Sequence, residues 1–195
     1  IGCGNRGKTL LDAALVNPKL QVVAVCDVDE NRLNETLGRL DGKAKGYKNY
    51  RELLEQKDIG GVIIATPDHW HAQIAVDAAK AGKDIYCEKP MAYTVAEGRA
   101  MVRAARKYDR IFQTGNMQRS SFNFRQACEL VVNGYIGELQ TINASIGGPV
   151  VACDLPSQEA PENLDWDLWV GPSLYREFHP ELSPPVERDI YPNWR

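Results

Sequence analysis

The sequence predicts a doubly wound α/β fold with a parallel sheet, and three observations carry that prediction. Short apolar runs rich in β-branched residues recur, at 20–26 (LQVVAVC) and 61–66 (GVIIAT), with further candidates at 83–87 and 111–114. Segments of helical character lie between them. A glycine-rich turn, Gly2-Cys3-Gly4-Asn5-Arg6-Gly7, opens the chain. Runs that are apolar throughout, rather than alternating, belong to strands covered on both faces, as in a parallel sheet.

The elements follow in order. A helix is expected after the glycines, then the strand at 20–26. Asp68 is placed to cap a helix running through Ala81, with Ile74, Ala75, Ala78 and Ala79 on one face and Gly82 as its stop. Thr94-Val95-Ala96-Glu97 reads as a capping box opening a helix to about Lys107. Beyond residue 115 the character changes. Residues 120–133 read as a helix and Gly134-Tyr135-Ile136-Gly137 as its exit. Residues 138–146 (ELQTINASI) alternate with the period of a half-exposed antiparallel strand. Eight of the 11 prolines then fall between Pro149 and Pro192, which predicts an extended loop segment. The expected division is a wound α/β domain over 1–118 and the start of a second domain over 119–195. A phosphate-binding glycine turn hangs from a strand, and Ile1 leaves no room for one, so the first strand is expected to be truncated.

Composition narrows the function classes. Of the 195 residues 44% are hydrophobic and 25% charged, enough apolar material for a core. The net charge is −3 with no basic block, which gives no reason to expect nucleic acid or an anionic membrane as partner. No apolar run approaches bilayer length. The five cysteines (Cys3, Cys26, Cys87, Cys128, Cys153) lack metal-finger spacing, and three lie in or beside apolar runs, where Cys acts as a small hydrophobe. With three histidines, two of them in one helix start, no metal site is expected.

The glycine turn carries the first chemistry. Gly2 permits the tight turn, Gly4 lets a pyrophosphate approach, and Gly7 lets helix pack on strand, with Asn5 and Arg6 between them. Twenty residues beyond Gly7, at the end of the next strand, stands Asp27. A carboxylate there accepts hydrogen bonds from ribose hydroxyls and repels a 2′-phosphate, so NAD is expected over NADP. Asp27 could also be only a strand-end turn residue. Cys87-Glu88-Lys89-Pro90 lies at the carboxyl end of a parallel strand, the edge where open α/β sheets bind ligands. A lysine there, partly desolvated and beside a cationic nicotinamide, can exchange protons near neutrality. Glu-Lys-Pro could equally be a polar exit from a strand.

Taken together, Gly2 to Gly7, Ala65-Thr66-Pro67-Asp68-His69-Trp70-His71, Ala78-Ala79-Lys80-Ala81-Gly82-Lys83, Glu88-Lys89-Pro90 and Gly134-Tyr135-Ile136-Gly137-Glu138-Leu139 resemble the glucose–fructose oxidoreductase and inositol dehydrogenase family, Gfo/Idh/MocA. The resemblance spans nearly the whole chain. It implies a dinucleotide-binding Rossmann domain over 1–118 followed by the start of an α+β domain with an open antiparallel sheet over 119–195, with substrate between them. It matches Lys89 to the catalytic lysine and Glu88 to a residue near the nicotinamide ribose. Thr66, Pro67 and His71 match the segment running past the cofactor, although Asp68 stands where the family usually has Asn. Asn116 falls beside the cofactor at the crossing to the second domain. Gln118 and Arg119 fall there too and, with Trp194 and Arg195, are substrate-contact candidates. The family's downstream Asp and His do not occur before Arg195.

The implied activity is hydride transfer between NAD and a secondary alcohol of a sugar, cyclitol or glycoside. A glycosidase working by transient oxidation and elimination is the first alternative, and a non-catalytic NAD-binding protein the second. The resemblance also implies association of full-length copies through the second domain's sheet. His71 has a plainer reading as a hydrogen-bonding residue at a helix start. Trp166, Trp169 and Trp194 could stack on a sugar or simply pin a loop. Asp165-Trp166-Asp167-Leu168-Trp169-Val170-Gly171-Pro172 resembles a bacterial subgroup with many exported members. The compartment therefore stays open between cytoplasm and periplasm.

Overall fold

The computed structural model describes residues 1–146 and 154–184. The chain separates into two compact units. One comprises Ile1–Gly115 together with the described residues from Leu155 on, and the other lies within Asn116–Asp154.

The first unit is a wound α/β layer. It runs α1 (Asn5–Leu15), β1 (Ala24–Cys26), α2 (Glu30–Gly38), β2 (Lys45–Tyr47), α3 (Tyr50–Leu54), β3 (Gly61–Ile64), α4 (Asp68–Lys80), β4 (Asp84–Glu88), α5 (Val95–Lys107) and β5 (Phe112–Gly115). Strands β1 and β2 pair in parallel, Val25 opposite Gly46. Strands β3, β4 and β5 form a second parallel set in that order, Ile64 opposite Cys87 and Cys87 opposite Thr114. The first residues of the chain tie the two sets together. The Ile1 backbone nitrogen donates to the Ile63 carbonyl at 2.8 Å, the Ala65 amide to Ile1, and the Gly2 amide to Cys26. Below this tie a groove of about 780 Å³ opens between the sets, lined by Val23, Val25, Val62 and Ile85 among others.

The expected strand at 20–26 is therefore short. Only its last three residues find a ladder partner, in β2, a strand that the sequence pattern did not announce; Leu20 is exposed. Lys45, Gly46 and Tyr47 carry little β signal, and pairing with β1 holds them extended. Ile64, Ile74, Ala78, Cys87 and Met101 are almost fully buried where α4 and α5 cover the second set. Each large aliphatic side chain buried this way contributes about 1.5–3 kcal/mol.

Helix ends follow local chemistry. Thr94 and Glu97 form the expected capping box. At the end of α4, Lys83 donates its amide to Ala78 and Gly82 to Ala79, a Schellman closure that Gly82 permits at φ +75°. Asp68 is not the cap expected of it. Pro67 holds that position without a side-chain bond, and Asp68 sits in the first turn, where its charge favours the helix dipole.

Two further expectations need correction. Residues 138–146 form no strand among the described residues, and Leu139, Ile142 and Ile146 are exposed. Alternation marks a face to bury, but a strand also needs a neighbour to complete its ladder. The second unit holds a 3₁₀ turn (Met117–Ser120) and α6 (Phe122–Val132), whose Tyr135-to-Leu130 and Gly134-to-Val131 bonds form the glycine exit expected at Gly134. The proline-rich segment, expected to be loop within the second domain, instead belongs in its described part from Leu155 to the first unit, and it contains a helix. Asp165 accepts a hydrogen bond from the Leu168 amide and starts α7 (Trp166–Val170), between prolines rather than across one. Trp166 stacks on Trp169 with centroids 4.7 Å apart and meets Phe178 edge-on, around a fully buried Leu182. Trp166 and Trp169 thus pin the segment.

Candidate functional site

The glycine turn is forced by contact as much as by conformation. Gly2 has φ +88°, and a Cβ there would lie 2.7 Å from the backbone of Ala65. A Cβ on Gly7 would collide with the Gly2 carbonyl. Gly4 precedes α1 in an extended conformation, and among the described residues a Cβ there would meet only Arg32, at 3.5 Å, so its surface stays open. No carboxylate occupies the first turn of α1 and Asn5 is exposed. The amides and positive dipole end of the helix are available to an anion.

Asp27 is fastened to that turn. One carboxylate oxygen accepts from the Cys3 amide at 2.6 Å, the other from the Asp29 amide at 2.9 Å. Burial raises its pKa from the ordinary carboxylate value, against the lowering effect of these amides and of nearby Arg32. Asp27 is half-buried just past the carboxyl end of β1, which is where the sequence placed a ribose acceptor.

A cavity runs from the turn past Asp27. It is lined by Gly2, Gly4, Val28, Thr66 and Pro67 and closed by Tyr50, Trp70, Leu168 and Trp169. The hydroxyl of Thr66 is buried without a hydrogen-bond partner among the described residues. An open glycine surface, a helix start without a counter-charge and an orphaned hydroxyl suit a polar, anionic, extended ligand. These residues fit a dinucleotide.

At the carboxyl end of β4, Glu88 is buried and Lys89 exposed. One Glu88 oxygen accepts from Arg6 at both Nε (2.8 Å) and Nη2 (2.6 Å), and the other from the Lys89 amide at 3.2 Å. Residue 115 must be small, since a Cβ there would lie 2.7 Å from that carboxylate. Arg6 therefore ties the glycine turn to the strand that carries Lys89. The Lys89–Pro90 peptide is cis. His71 is buried, its Nδ1 at 2.7 Å from the Pro90 carbonyl and its Nε2 at 2.9 Å from that of Thr66. Its ring clamps the two loops together and is not among the cavity's lining residues. His69 turns the other way, to the Trp169 carbonyl at 2.9 Å.

The remaining candidates are less assembled. Asn116, Gln118 and Arg119 are exposed in the second unit, where Arg119 donates its amide to the Asn116 carbonyl. Trp194, Arg195 and Cys153 lie outside the described residues. Sequence reasoning missed Arg32, Lys48, Tyr50, Trp70 and Leu168 as cavity residues. Trp70 lay within a quoted motif, but nothing in the spacing showed that its indole would meet a segment about a hundred residues away.

A parallel wound sheet with a glycine turn, an acidic residue after the next strand and a helix start open to phosphate defines a Rossmann dinucleotide-binding protein. The family model for Gfo/Idh/MocA oxidoreductases, described as an NAD-binding Rossmann fold, matches residues 1–116, and the chain belongs to that family. Inositol 2-dehydrogenase of Salmonella paratyphi B is 33% identical over 146 residues, covering 74% of this chain and 43% of the relative. Myo-inositol 2-dehydrogenase of Lactobacillus plantarum superposes with a TM-score of 0.66 at 29% identity, over 70% of this chain and 41% of that one. Scyllo-inositol dehydrogenase of Lactobacillus casei, solved with NAD(H) and scyllo-inositol, gives 0.65 at 25% identity, over 70% and 41%. The chain spans less than half the length of these relatives. NAD is the cofactor of the matched domain.

Proposed function

We propose that the complete protein transfers hydride between NAD and a secondary alcohol of a cyclitol or sugar, with Lys89 as the group that takes and returns the hydroxyl proton. The observation that carries this is the pairing at the end of β4, where Glu88 is buried and locked to the glycine turn through Arg6 while Lys89 is exposed. Bound NAD supplies the hydride acceptor. In removing hydride from an alcohol carbon, the hydroxyl must lose its proton as well, or a high-energy protonated carbonyl results. Lysine suits the task because it can give up a proton near neutrality when desolvated, which arginine cannot.

Gly2, Gly4, Gly7 and the start of α1 with Asn5 are assigned to the pyrophosphate, and Asp27 to the adenosine ribose. Thr66 and Pro67 are assigned to the chain that passes the cofactor, and Arg6 and Glu88 to holding the nicotinamide end in register. His71 fixes the carbonyls on either side. Asn116 is assigned beside the cofactor, and Gln118 and Arg119 to the substrate side. The named relatives act as inositol dehydrogenases, which supports a cyclitol or related polyol as substrate and net oxidation as the outcome.

The test is steady NADH formation by the complete protein with a panel of inositols and pyranoses. Turnover on at least one cyclitol or sugar supports the reading. Release of the aryl group from an aryl glycoside without net NADH overturns it.

A further inference from the structure

The cavity beyond Asp27 has two walls of different origin. One comes from the Rossmann elements, with Val28 after β1, Tyr50 at the start of α3 and Trp70 in α4. The other is Leu168 and Trp169 of α7, more than fifty residues past β5. The strap carrying α7 is bound along its length. The Glu30 amide donates to the Asn163 carbonyl at 2.9 Å and the Asp165 amide to the Val28 carbonyl at 3.1 Å. The Asn163 amide side chain donates to Asp29, and Arg32 donates to the Pro184 carbonyl at 2.9 Å. The Trp70 indole donates to the carbonyls of Leu168 and Trp169 at 3.0 and 3.1 Å. Gly171 packs flat on that indole, where any Cβ would collide.

The direction of the ligand decides what meets this wall. The glycine turn takes the pyrophosphate and Asp27 the ribose, so the base attached to that ribose continues away from the turn, towards Tyr50, Trp70 and Leu168. A purine presents two apolar faces, and the side chains here are aliphatic and aromatic. The Leu168 and Trp169 carbonyls are already taken by Trp70, and the half-buried Leu168 side chain stands at the cavity edge, where it can meet a ligand.

We propose that the strap completes the adenine subsite, with Leu168 as the contact that it adds, so that cofactor binding and strap docking stabilise each other. This rests on the assignment of the cavity to the dinucleotide. Because the coupling is a linkage, it acts both ways: a bound nucleotide protects the strap, and a displaced strap weakens the nucleotide.

The experiment uses the complete protein and two probes, NAD and AMP, the second carrying only the adenosine end. Leu168→Ala removes the wall while keeping the carbonyl that Trp70 holds. AMP and NAD dissociation constants should each rise about fivefold to tenfold, the usual effect of truncating an apolar contact in a ligand pocket. The unfolding midpoint of the nucleotide-free protein should stay unchanged, and Leu168→Met should restore both affinities. Separately, AMP should slow amide exchange across residues 160–172 in the wild type. Gly171→Val, which displaces the strap from Trp70, should abolish that protection and weaken AMP at least as much as Leu168→Ala. Unchanged AMP affinity in both variants overturns the proposal while leaving NAD binding intact. So does a loss of AMP affinity that merely follows a lower unfolding midpoint and is not rescued by Met. A wild-type protein that binds neither NAD nor AMP removes the cofactor assignment itself.

Discussion

The two ends of the cofactor site are built to different degrees of completion. At the adenosine end, Asp27 is held by two backbone amides, and the cavity beside it is walled by Tyr50, Trp70 and Trp169, two of them in edge contact with centroids 5.6 Å apart. At the reactive end only the support is finished. Glu88 is buried and doubly bonded to Arg6, His71 clamps the Thr66 and Pro90 carbonyls, and Lys89 stands in solvent. The difference separates affinity from chemistry. The residues assigned to the adenosine side all lie within a single compact unit. A lysine acting on an alcohol needs water excluded around it, and the described unit does not supply that enclosure.

The sharpest way to break this comparison is to remove the lysine. Lys89→Met in the complete protein should lower turnover by roughly 10²–10⁴-fold, the usual worth of a general acid–base group, and leave NAD affinity within about threefold. Steady-state rates and NAD titration together decide it. A fall of less than tenfold with collapsed NAD binding would make Lys89 a cofactor ligand and move the base elsewhere.

Next in size is the support beneath the reactive end. Arg6→Met leaves the Glu88 carboxylate buried with, among the described residues, the Lys89 amide as its one remaining donor. Breaking a fully buried pair costs about 3–5 kcal/mol, and the 30% exposure of Arg6 lowers the expectation here to about 2–3 kcal/mol. Urea denaturation measures it. Adding Glu88→Gln should recover much of the loss, because the uncompensated charge is then gone. Equal stability of the single variant and the wild type would show that Glu88 does not depend on Arg6.

The contrast between the ends also explains what was legible in the sequence. The glycine turn, the Asp27 spacing, the capping box at Thr94 and the Gly82 stop are local, each set by a few neighbouring residues, and the sequence displayed them all. The strands at 61–64 and 84–88 were legible because double burial demands an unbroken apolar run. The strap was not, for its position is set by bonds between residues a hundred apart, such as Trp70 to Leu168. Neither was β2, which exists because β1 supplies a ladder. At residues 138–146 the error ran the other way, since alternation gave the pattern of a strand without its partner. Within the site, the sequence named Arg6 and Glu88 separately, but only the fold shows them bonded.

A smaller effect tests the adenosine end. NAD should bind more tightly than NADP, because the carboxylate assigned to the ribose, Asp27, would repel a 2′-phosphate. Asp27→Ser removes the repulsive element and should narrow the ratio of dissociation constants by about tenfold. Arg32, beside Gly4, remains to meet the phosphate. Titration of both cofactors onto wild type and variant settles this, and tighter NADP binding by the wild type would overturn the assignment.

The smallest effect lies under both ends at once. Cys26 closes β1 at the adenosine end and Cys87 precedes Glu88 at the reactive end; both are buried, and burial pushes each thiol up to about 12 from an ordinary value near 9. The folded protein then keeps these protons where the unfolded chain would lose them. Stability from the two groups is full below pH 9 and is lost as pH rises from about 9 towards 12, by about 1 kcal/mol per thiol at pH 10. Denaturation midpoints at pH 8 and pH 10 read this out, and Cys87→Ala should weaken the pH dependence without abolishing it, because burial raises the Cys3 thiol in the same direction. Alkylation supplies the independent check. Iodoacetamide at pH 8 should label exposed Cys128 and spare Cys26 and Cys87 in the native protein, since only a thiolate within reach of solvent reacts. Rapid labelling of Cys87 alone would show that the floor of the reactive end opens while that of the adenosine end stays shut. The difference in completion between the two ends would then extend into the core beneath them.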